Sequence, residues 1–234
     1  MNTNKDFLCL IPARSGSKSV KNKNIKNIYG KPLIYWTIKE AIKSKCFKEV
    51  FVSTDSKKIQ FLAKKFGAQC PYLRPKNISG DKSSTLDTIK YTLSFLKKKD
   101  IKYKYVILLQ PTSPLRDYKD IKKSIKLFIK NKNATSLVSL VRVDDNHPSR
   151  MYFLKKNYLL KHSLSEKKTG TIRQKLKKMY LRNGAIYIIK YTNINKKNFL
   201  GQKSLAYIMP HKRSINIDSG FDFKIADLIL RKKL

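Results

Sequence analysis

The feature that most limits the folds open to this chain is an apolar run near its start that passes directly into a basic loop. Residues 7–11 are all apolar, and Pro12 ends the run because proline cannot donate a backbone hydrogen bond to a neighbouring strand. The loop that follows, up to Asn24, is rich in small residues and cations. Small residues allow close backbone approach and cations neutralise anions, so this pattern is typical of an α/β protein that binds phosphate.

Two well-known phosphate-binding loops do not match this segment. A Walker loop requires a glycine before its lysine, but Lys18 follows Ser17, and a dinucleotide-binding turn requires three spaced glycines where only Gly16 is present. An ordinary solvated basic loop is the simpler alternative. Its position at the end of a buried strand favours phosphate binding instead.

The rest of the chain alternates between strand and helix patterns. Strands are predicted at residues 49–53, 69–73, 105–109, 135–143 and 185–189, and helices after Pro32, Asp55, Ser84 and Ser219 and around residues 121–129. Asp55 is the expected N-cap of the second helix, and Ser84 with Asp87 and Ser219 with Asp222 are expected capping boxes. This order predicts an α/β fold with a mainly parallel sheet and helices on both faces.

Ligands of such sheets bind at the carboxyl ends of strands where the strand order reverses. If the first strand and the strand at residues 105–109 are neighbours, the basic loop and the polar, proline-rich segment 110–116 share one crevice. Asp218 follows an alternating segment that reads as a strand end, so we expect it to reach the same crevice as a metal ligand.

Length and composition set outer limits on the function. The 234 residues suffice for one sizeable domain, so we expect a single domain over residues 1–234. No apolar run approaches the roughly 20 residues of a membrane span, and residues 1–5 are polar, which disfavours a secretory signal. We therefore expect a cytoplasmic protein without a membrane partner. The net charge of +38 raises nucleic-acid binding as a hypothesis, but the lysines are spread along the whole chain, which disfavours a specific nucleic-acid partner.

Several short motifs resemble those of the acylneuraminate cytidylyltransferases, which activate sialic and related nonulosonic acids as CMP-sugars. The matching segments are residues 11–14 (IPAR), 16–18 (GSK), 23–25 (KNI), 30–34 (GKPLI), 109–116 (LQPTSPLR), 173–174 (RQ) and 182–187 (RNGAIY). The resemblance implies a Rossmann-like nucleotidyltransferase fold and a CTP-dependent transfer of CMP to a nonulosonic acid of the sialic, legionaminic or pseudaminic type. It also implies a homodimer, with residues 144–180 as a projecting dimerisation and substrate-capping segment.

The same resemblance implies roles for individual residues. Catalytic roles fall to Arg14, Lys18, Lys23 and Asp218, nucleotide binding to Ala13, Ser17, Asn24, Arg74 and Ser83, and sugar-acid binding to Gln110, Arg173 and Asn183. Mg²⁺ is the expected cofactor, held by Asp218 with Asn216. The family often carries aspartate where this chain has Asn216, and an amide oxygen binds a hard cation without adding charge, so the number of metal ions is left open.

Two alternatives remain at this stage. The cytidylyltransferases for the eight-carbon acid KDO also begin with IPAR, but there GKPL follows almost directly, whereas residues 21–29 intervene here. A nucleic-acid-binding or non-catalytic protein would account for the charge and for Asn216. The joint presence of Arg14, Lys18, Lys23 and Asp218 argues against loss of catalysis.

Overall fold

A computed structural model describes residues 6–17, 20–81, 83–144, 146–165, 175–194 and 200–232. Its strands are β1 (Phe7–Pro12), β2 (Asn27–Ile28), β3 (Lys31–Pro32), β4 (Val50–Ser53), β5 (Tyr105–Leu108), β6 (Ser136–Val143), β7 (Phe153–Lys155), β8 (Tyr158–Leu160), β9 (Met179–Lys190) and β10 (Ser204–Met209). Its α-helices are α1 (Leu33–Lys43), α2 (Lys57–Lys65), α3 (Thr85–Lys97), α4 (Tyr118–Lys130) and α5 (Gly220–Leu230). The predicted alternation of strands and helices is confirmed.

Six strands form the central sheet in the order β10, β6, β9, β5, β1, β4. The strand β1 is parallel to both β4 and β5, and β10 is parallel to β6. The strand β9 is antiparallel to both β5 and β6, so it runs against the other strands. The predicted mainly parallel sheet is therefore confirmed, with one long antiparallel strand inside it.

Apolar side chains of successive strand residues point to opposite faces, and each face is covered by helices. On one face Cys9 and Ile11 pack with residues of α1, α2 and α4, and on the other Leu8 and Leu10 pack with residues of α3. These β1 residues are fully buried. Burial in this apolar setting raises the pKa of the Cys9 thiol, so the thiol stays protonated in the core.

After β1, the chain forms β4 on one side of β1 and then β5 on the other side. The strand order thus reverses between β1 and β5, and the loops after these two strands diverge there. The adjacency of the first strand and the strand near residue 105, on which the shared crevice depends, is present, since Phe7 pairs with Tyr105. The switch point lies where the sequence predicts the crevice.

Three local predictions are wrong. Ser56 caps α2 by accepting from the Ile59 N–H, because Asp55 is occupied by the backbone and side chain of Ser15. Residues 69–73 form only one isolated bridge, from Gln69 to Phe51, instead of a strand. Residues 214–219 form no strand either, although the Ile217 N–H donates to the carbonyl of Thr112 at 2.8 Å.

The segment at residues 144–180 contains more regular structure than its sequence suggests. The strands β7 and β8 form an antiparallel hairpin with all of its strand residues exposed, and β9 begins at Met179 and not near Ala185. The early part of β9 pairs with the end of β6, which explains the extension. Within the described residues, no helix combines the length and apolar character needed to span a membrane.

Candidate active site

A polar cleft of about 310 Å³ opens between the loops that follow β1 and β5. It brings together most of the residues to which the sequence assigns a role: Arg14, Ser17, Lys23, Asn24, Arg74, Ser83, Gln110, Asn216 and Asp218. These residues come from four separate segments of the chain. The shared crevice predicted for the basic loop and the proline-rich segment is therefore present.

Lys23 joins the basic loop to the segment that carries Asp218. Its side chain is 9% exposed, its Nζ donates to the carbonyl of Ile217 at 2.6 Å, and it lies 3.7 Å from Oδ1 of Asp218. The Asp218 side chain is 73% exposed and faces the cleft. Lys23 therefore acts as an internal tether, in addition to placing a cation beside the cleft.

The N-terminus of α5 fixes the backbone around Asp218. Asp222 forms the predicted capping box with Ser219, and its carboxylate also accepts from the backbone N–H of Asp218 at 3.0 Å. Burial alone would raise the pKa of Asp222, but the hydrogen bonds from Ser219 and Asp218 hold it below its ordinary value. The Asp222 side chain thus fixes the backbone of Asp218 by a hydrogen bond and does not itself line the cleft.

Two carboxylates, those of Asp55 and Asp81, bind the start of the basic loop. Asp55 accepts from the backbone N–H of Ser15 at 2.7 Å and from its hydroxyl at 2.6 Å. Arg14 forms an ion pair with Asp81 at 2.9 Å, and its carbonyl accepts from the Asn24 amide at 2.9 Å. Both Arg14 and Asp81 are partly exposed, so a polyanion can compete with Asp81 for the guanidinium.

Arg74 is buried in the part of the cleft lining that residues 74–88 contribute. Its guanidinium donates to Ser79 at 3.0 Å and to Thr88 at 2.7 Å. Burial lowers the pKa of Arg74 from its ordinary value, while the nearby carboxylate of Asp55 opposes that shift. The Arg74 guanidinium shapes this part of the lining and adds a cation to it.

Gln110 stands at the floor of the cleft against the glycine of the RNGAIY motif. A Cβ atom added to Gly184 would lie 2.8 Å from Oε1 of Gln110 and 3.3 Å from Oδ1 of Asn216, and Gly184 has φ of +74°. Glycine is required here for both the close approach and the left-handed backbone. Arg116 fixes the same corner by donating to the carbonyls of Gln110 and Ala185, and its burial lowers the pKa of its guanidinium to about 10.

Asn183 does not line the cleft, contrary to the role that the sequence assigns to it. Its Oδ1 accepts from Ser139 at 2.6 Å, its Nδ2 donates to Ser214 at 2.9 Å, and its carbonyl accepts from Ser113 at 3.0 Å. The side chain is buried and engaged at both ends, so it braces β6, β9 and the two cleft segments. Asn183 therefore has a structural role here, and its assignment to the sugar acid stays a prediction.

Ala13 is also fully buried and outside the cleft lining, with its N–H bonded to the carbonyl of Ser53. Lys18 and Arg173 lie outside the residues that the structure describes, so their roles remain predictions. The cleft lining also includes residues that the sequence did not single out: Ser79, Gly80, Thr88 and Thr112. The polar turn at residues 79–81 is the signal that could have pointed to the first two.

The residues near Asp218 fit Mg²⁺ that arrives with a polyphosphate better than a metal held by protein alone. Within the described part of the chain, no three His, Cys, Asp or Glu side chains form a group that could hold a metal ion. One exposed carboxylate and two amide oxygens, from Asn216 and Gln110, face this corner, and Oδ1 of Asn216 is buried with no hydrogen-bond partner among the described residues. Mg²⁺ commonly combines one or two carboxylates with substrate phosphates and waters.

Comparisons with known proteins agree with this architecture. The family model described as Cytidylyltransferase matches residues 8–217. The chain is 37% identical over 228 residues to an N-acylneuraminate cytidylyltransferase of Escherichia coli O18:K1:H7, and the match covers 97% of this chain and 52% of that protein. It is 30% identical over 226 residues to a pseudaminic acid cytidylyltransferase of Campylobacter jejuni, with 96% of each chain covered.

A solved structure of a CMP:2-keto-3-deoxy-manno-octonic acid synthetase in complex with CTP superposes with a TM-score of 0.72. The match covers 97% of this chain and 99% of that one at 16% identity, so it bears on the fold alone. The predicted Rossmann-like nucleotidyltransferase fold is confirmed. The chain spans about half the length of the E. coli relative and nearly the full length of the C. jejuni relative.

Proposed function

The chain belongs to the cytidylyltransferase family, and we propose on that premise that it transfers CMP from CTP to the anomeric hydroxyl of a nonulosonic acid, with release of pyrophosphate. Relatives named for nine-carbon acids match at 30% and 37% identity, whereas the KDO enzyme shares the fold at 16% identity. A nonulosonic acid is therefore favoured over KDO. The alternative of a nucleic-acid-binding protein has no support beyond the net charge.

The observation that carries this proposal is the convergence of Arg14, Lys23, Arg74 and Gln110 with Asp218 on one cleft at the switch point. Three cations in the cleft lining suit a triphosphate, and the amide of Gln110 suits a hydroxyl-rich sugar acid. A basic patch for nucleic acid would be broad and exposed. This site is instead a small cleft with a buried tether and, among the described residues that line it, one carboxylate.

In the proposed reaction the anomeric hydroxyl oxygen attacks the α-phosphorus of CTP in line. The new O–P bond forms as the bond between the α-phosphorus and the pyrophosphate oxygen breaks, and the hydroxyl proton passes to solvent water. Such a transfer depends on positioning and on neutralisation of the phosphate oxygens. Arg14 is suited to exchange its ion pair with Asp81 for one with the triphosphate. Lys18 is assigned to neutralise the same phosphate charge.

Recognition of the two substrates is divided between the walls and the floor of the cleft. Ser17, Asn24, Arg74 and Ser83 line the cleft and are assigned to the nucleotide. Gln110 is assigned to the sugar acid at the floor. Arg173 is assigned to its carboxylate, which a guanidinium binds with two parallel hydrogen bonds.

Mg²⁺ is proposed as the cofactor, and Asp218 would hold it with the amide oxygen of Asn216. When bound, it would neutralise phosphate charge and polarise the reacting phosphorus. Asp218→Asn removes the one carboxylate assigned to it, so we expect turnover to fall strongly even at high Mg²⁺. A Mg²⁺ titration of both proteins measures this, and an active Asp218→Asn with an unchanged Mg²⁺ requirement would exclude Asp218 as the ligand.

The reaction is tested with CTP, Mg²⁺ and a panel of sialic, legionaminic, pseudaminic and KDO acids, scored by pyrophosphate release. We expect turnover with at least one nine-carbon acid and little with KDO. Turnover with KDO alone would replace the nonulosonic acid. No turnover with any acid, combined with sequence-selective RNA binding that survives raised salt, would favour the nucleic-acid alternative, because charge-driven binding weakens with salt.

We also propose that the hairpin of β7 and β8 forms a homodimer contact in a cytoplasmic enzyme. Phe153, Leu154, Tyr158 and Leu159 are 63–76% exposed, and exposed apolar patches of this kind mark interaction sites. An isolated two-stranded hairpin is also marginally stable without a partner surface. Sedimentation of Leu159→Glu should show a shift towards monomer, whereas an unchanged sedimentation coefficient would place the interface elsewhere.

A further inference from the structure

The amide of Asn216 lies between Asp218 and the glycine at the cleft floor, and its two ends are in different situations. Its Nδ2 donates to Oδ2 of Asp218 at 2.5 Å. Its Oδ1 is buried and has no hydrogen-bond partner within the described part of the chain. The nitrogen is therefore well satisfied, while the oxygen is not.

The Nδ2 atom of Asn216 orients the exposed side chain of Asp218. Asp218 is 73% exposed, yet each of its carboxylate oxygens faces a donor, with Nδ2 of Asn216 on Oδ2 and Nζ of Lys23 at 3.7 Å from Oδ1. The Lys23 ammonium is itself fixed by the carbonyl of Ile217. Two donors from opposite ends of the chain thus set the orientation of Asp218 in the protein without metal.

The oxygen end lies towards Gly184, which the side chain of Gln110 also approaches. Oδ1 of Asn216 and Oε1 of Gln110 approach the same point above Gly184, at 3.3 and 2.8 Å from the position of an added Cβ atom. A buried acceptor without a donor lowers stability. Rotation of the Asn216 amide by a half turn would place its N–H on the side of Gln110 and its oxygen on the side of Asp218.

We propose that Asn216 is a positioning residue that makes this half turn when a cation occupies Asp218. Without a cation, the half turn would place the amide oxygen of Asn216 against the carboxylate of Asp218, and the two would repel each other. The amide N–H therefore faces Asp218 in that case. With a cation present, an amide oxygen is a favourable ligand, and the N–H gains an acceptor on the buried side. The terminal torsion of asparagine has a broad, two-fold profile, so both orientations are accessible without rearrangement of the backbone.

This inference rests on the proposed function only in that the cation arrives with CTP. It also explains why an aspartate would behave differently at position 216. A carboxylate there has no N–H to offer, and it would place two negatively charged groups in contact at Asp218. The protein with Asn216→Asp should therefore need a cation to hold this corner together, whereas the protein with Asn216 does not.

The direct test is a side-chain amide spectrum of ¹⁵N-labelled protein, with the Asn216 pair assigned by its absence in Asn216→Ser. In EDTA we expect one proton of the pair to show the downfield shift of a hydrogen bond to a carboxylate, and Mg²⁺ with CTP, without sugar acid, should remove it. In Asp218→Asn the same addition should leave the pair unmoved. An Asn216 pair that is unchanged in the parent protein, while other cleft signals report CTP binding, would overturn the proposal.

A second test uses thermal unfolding and needs no turnover. In EDTA, Asn216→Asp should unfold about 2–4 °C below the parent, the shift that loss of one hydrogen bond causes in a domain of this size. Mg²⁺ with CTP should remove this difference between the two proteins. The control is Asn133→Asp, which makes the same charge change at an exposed turn. Equal behaviour of the two variants would refute the positioning role. Because neither test involves sugar acid, failure of the acid panel and failure of this inference are separate outcomes.

Discussion

Replacement of Lys23 by methionine tests whether the buried tether stabilises the protein. Methionine keeps the length and apolar contacts of the side chain but removes the ammonium that donates to Ile217 at 2.6 Å. A hydrogen bond from a charged group contributes about 1.5–3 kcal/mol net, and only one partner is removed, so the Ile217 carbonyl is left unpaired. The contact with Asp218 adds little, because that carboxylate is 73% exposed. We therefore expect the free energy of unfolding to fall by about 1.5–3 kcal/mol.

Urea unfolding followed by circular dichroism measures this loss. The matched control is Lys21→Met, an exposed lysine two residues away, for which we expect a change within about 0.5 kcal/mol. Turnover should separate the variants as well, because removal of one preorganised charge at a transition state lowers kcat by roughly 10²–10³. If Lys23→Met and Lys21→Met unfold at the same urea concentration, the tether does not stabilise the fold.

Two further changes test the cleft floor and its outer support. Gly184→Ala should lower the free energy of unfolding by about 1–3 kcal/mol and raise KM for the sugar acid by displacing Gln110. The control Gly30→Ala has a similar φ of +73° and no atom within 4 Å of the added Cβ, so it should show the backbone cost alone. Equal KM values in the two variants would contradict the contact with Gln110. Arg213→Ala should cost about 3–5 kcal/mol in urea unfolding, because it leaves the buried carboxylate of Asp120 without the guanidinium at 2.8 and 2.9 Å. Burial raises the pKa of Asp120, but the hydrogen bonds from Arg213 outweigh it and lower the pKa overall, so this stabilisation should be present above about pH 4 and lost as pH falls further. A variant as stable as the parent at pH 7 would show that the pair contributes nothing.

Local sequence patterns predicted the elements that depend on near neighbours. The capping boxes at Ser84 and Ser219 form as predicted, because both partners lie within one helical turn. The strand β1 and the position of Pro12 follow from a short apolar run with a fixed breaker. The adjacency of β1 and β5 was a condition of the predicted crevice, and the structure supplies it.

The failures share a different cause, which is competition from partners far along the chain. Asp55 has the residue type of an N-cap, but Ser15, 40 positions away, takes its carboxylate. The motif that contains Asn183 likewise does not reveal that its side chain bonds with Ser139 and Ser214 inside the protein. A pattern of residue types does not reveal which of several polar groups will meet once the sheet has formed.

The hydrogen bond from Lys23 to Ile217 joins positions 194 residues apart, and this has a consequence for how the enzyme matures. A chain is synthesised from its N-terminus, so the basic loop and the sheet strands β1, β4 and β5 emerge well before the segment that carries Asp218. Contacts of such sequence separation form late, because the entropy of loop closure must be overcome first. Catalytic competence should therefore be the last property to appear during refolding, after helix content has returned, and an unfinished chain would lack the acidic side of its own cleft.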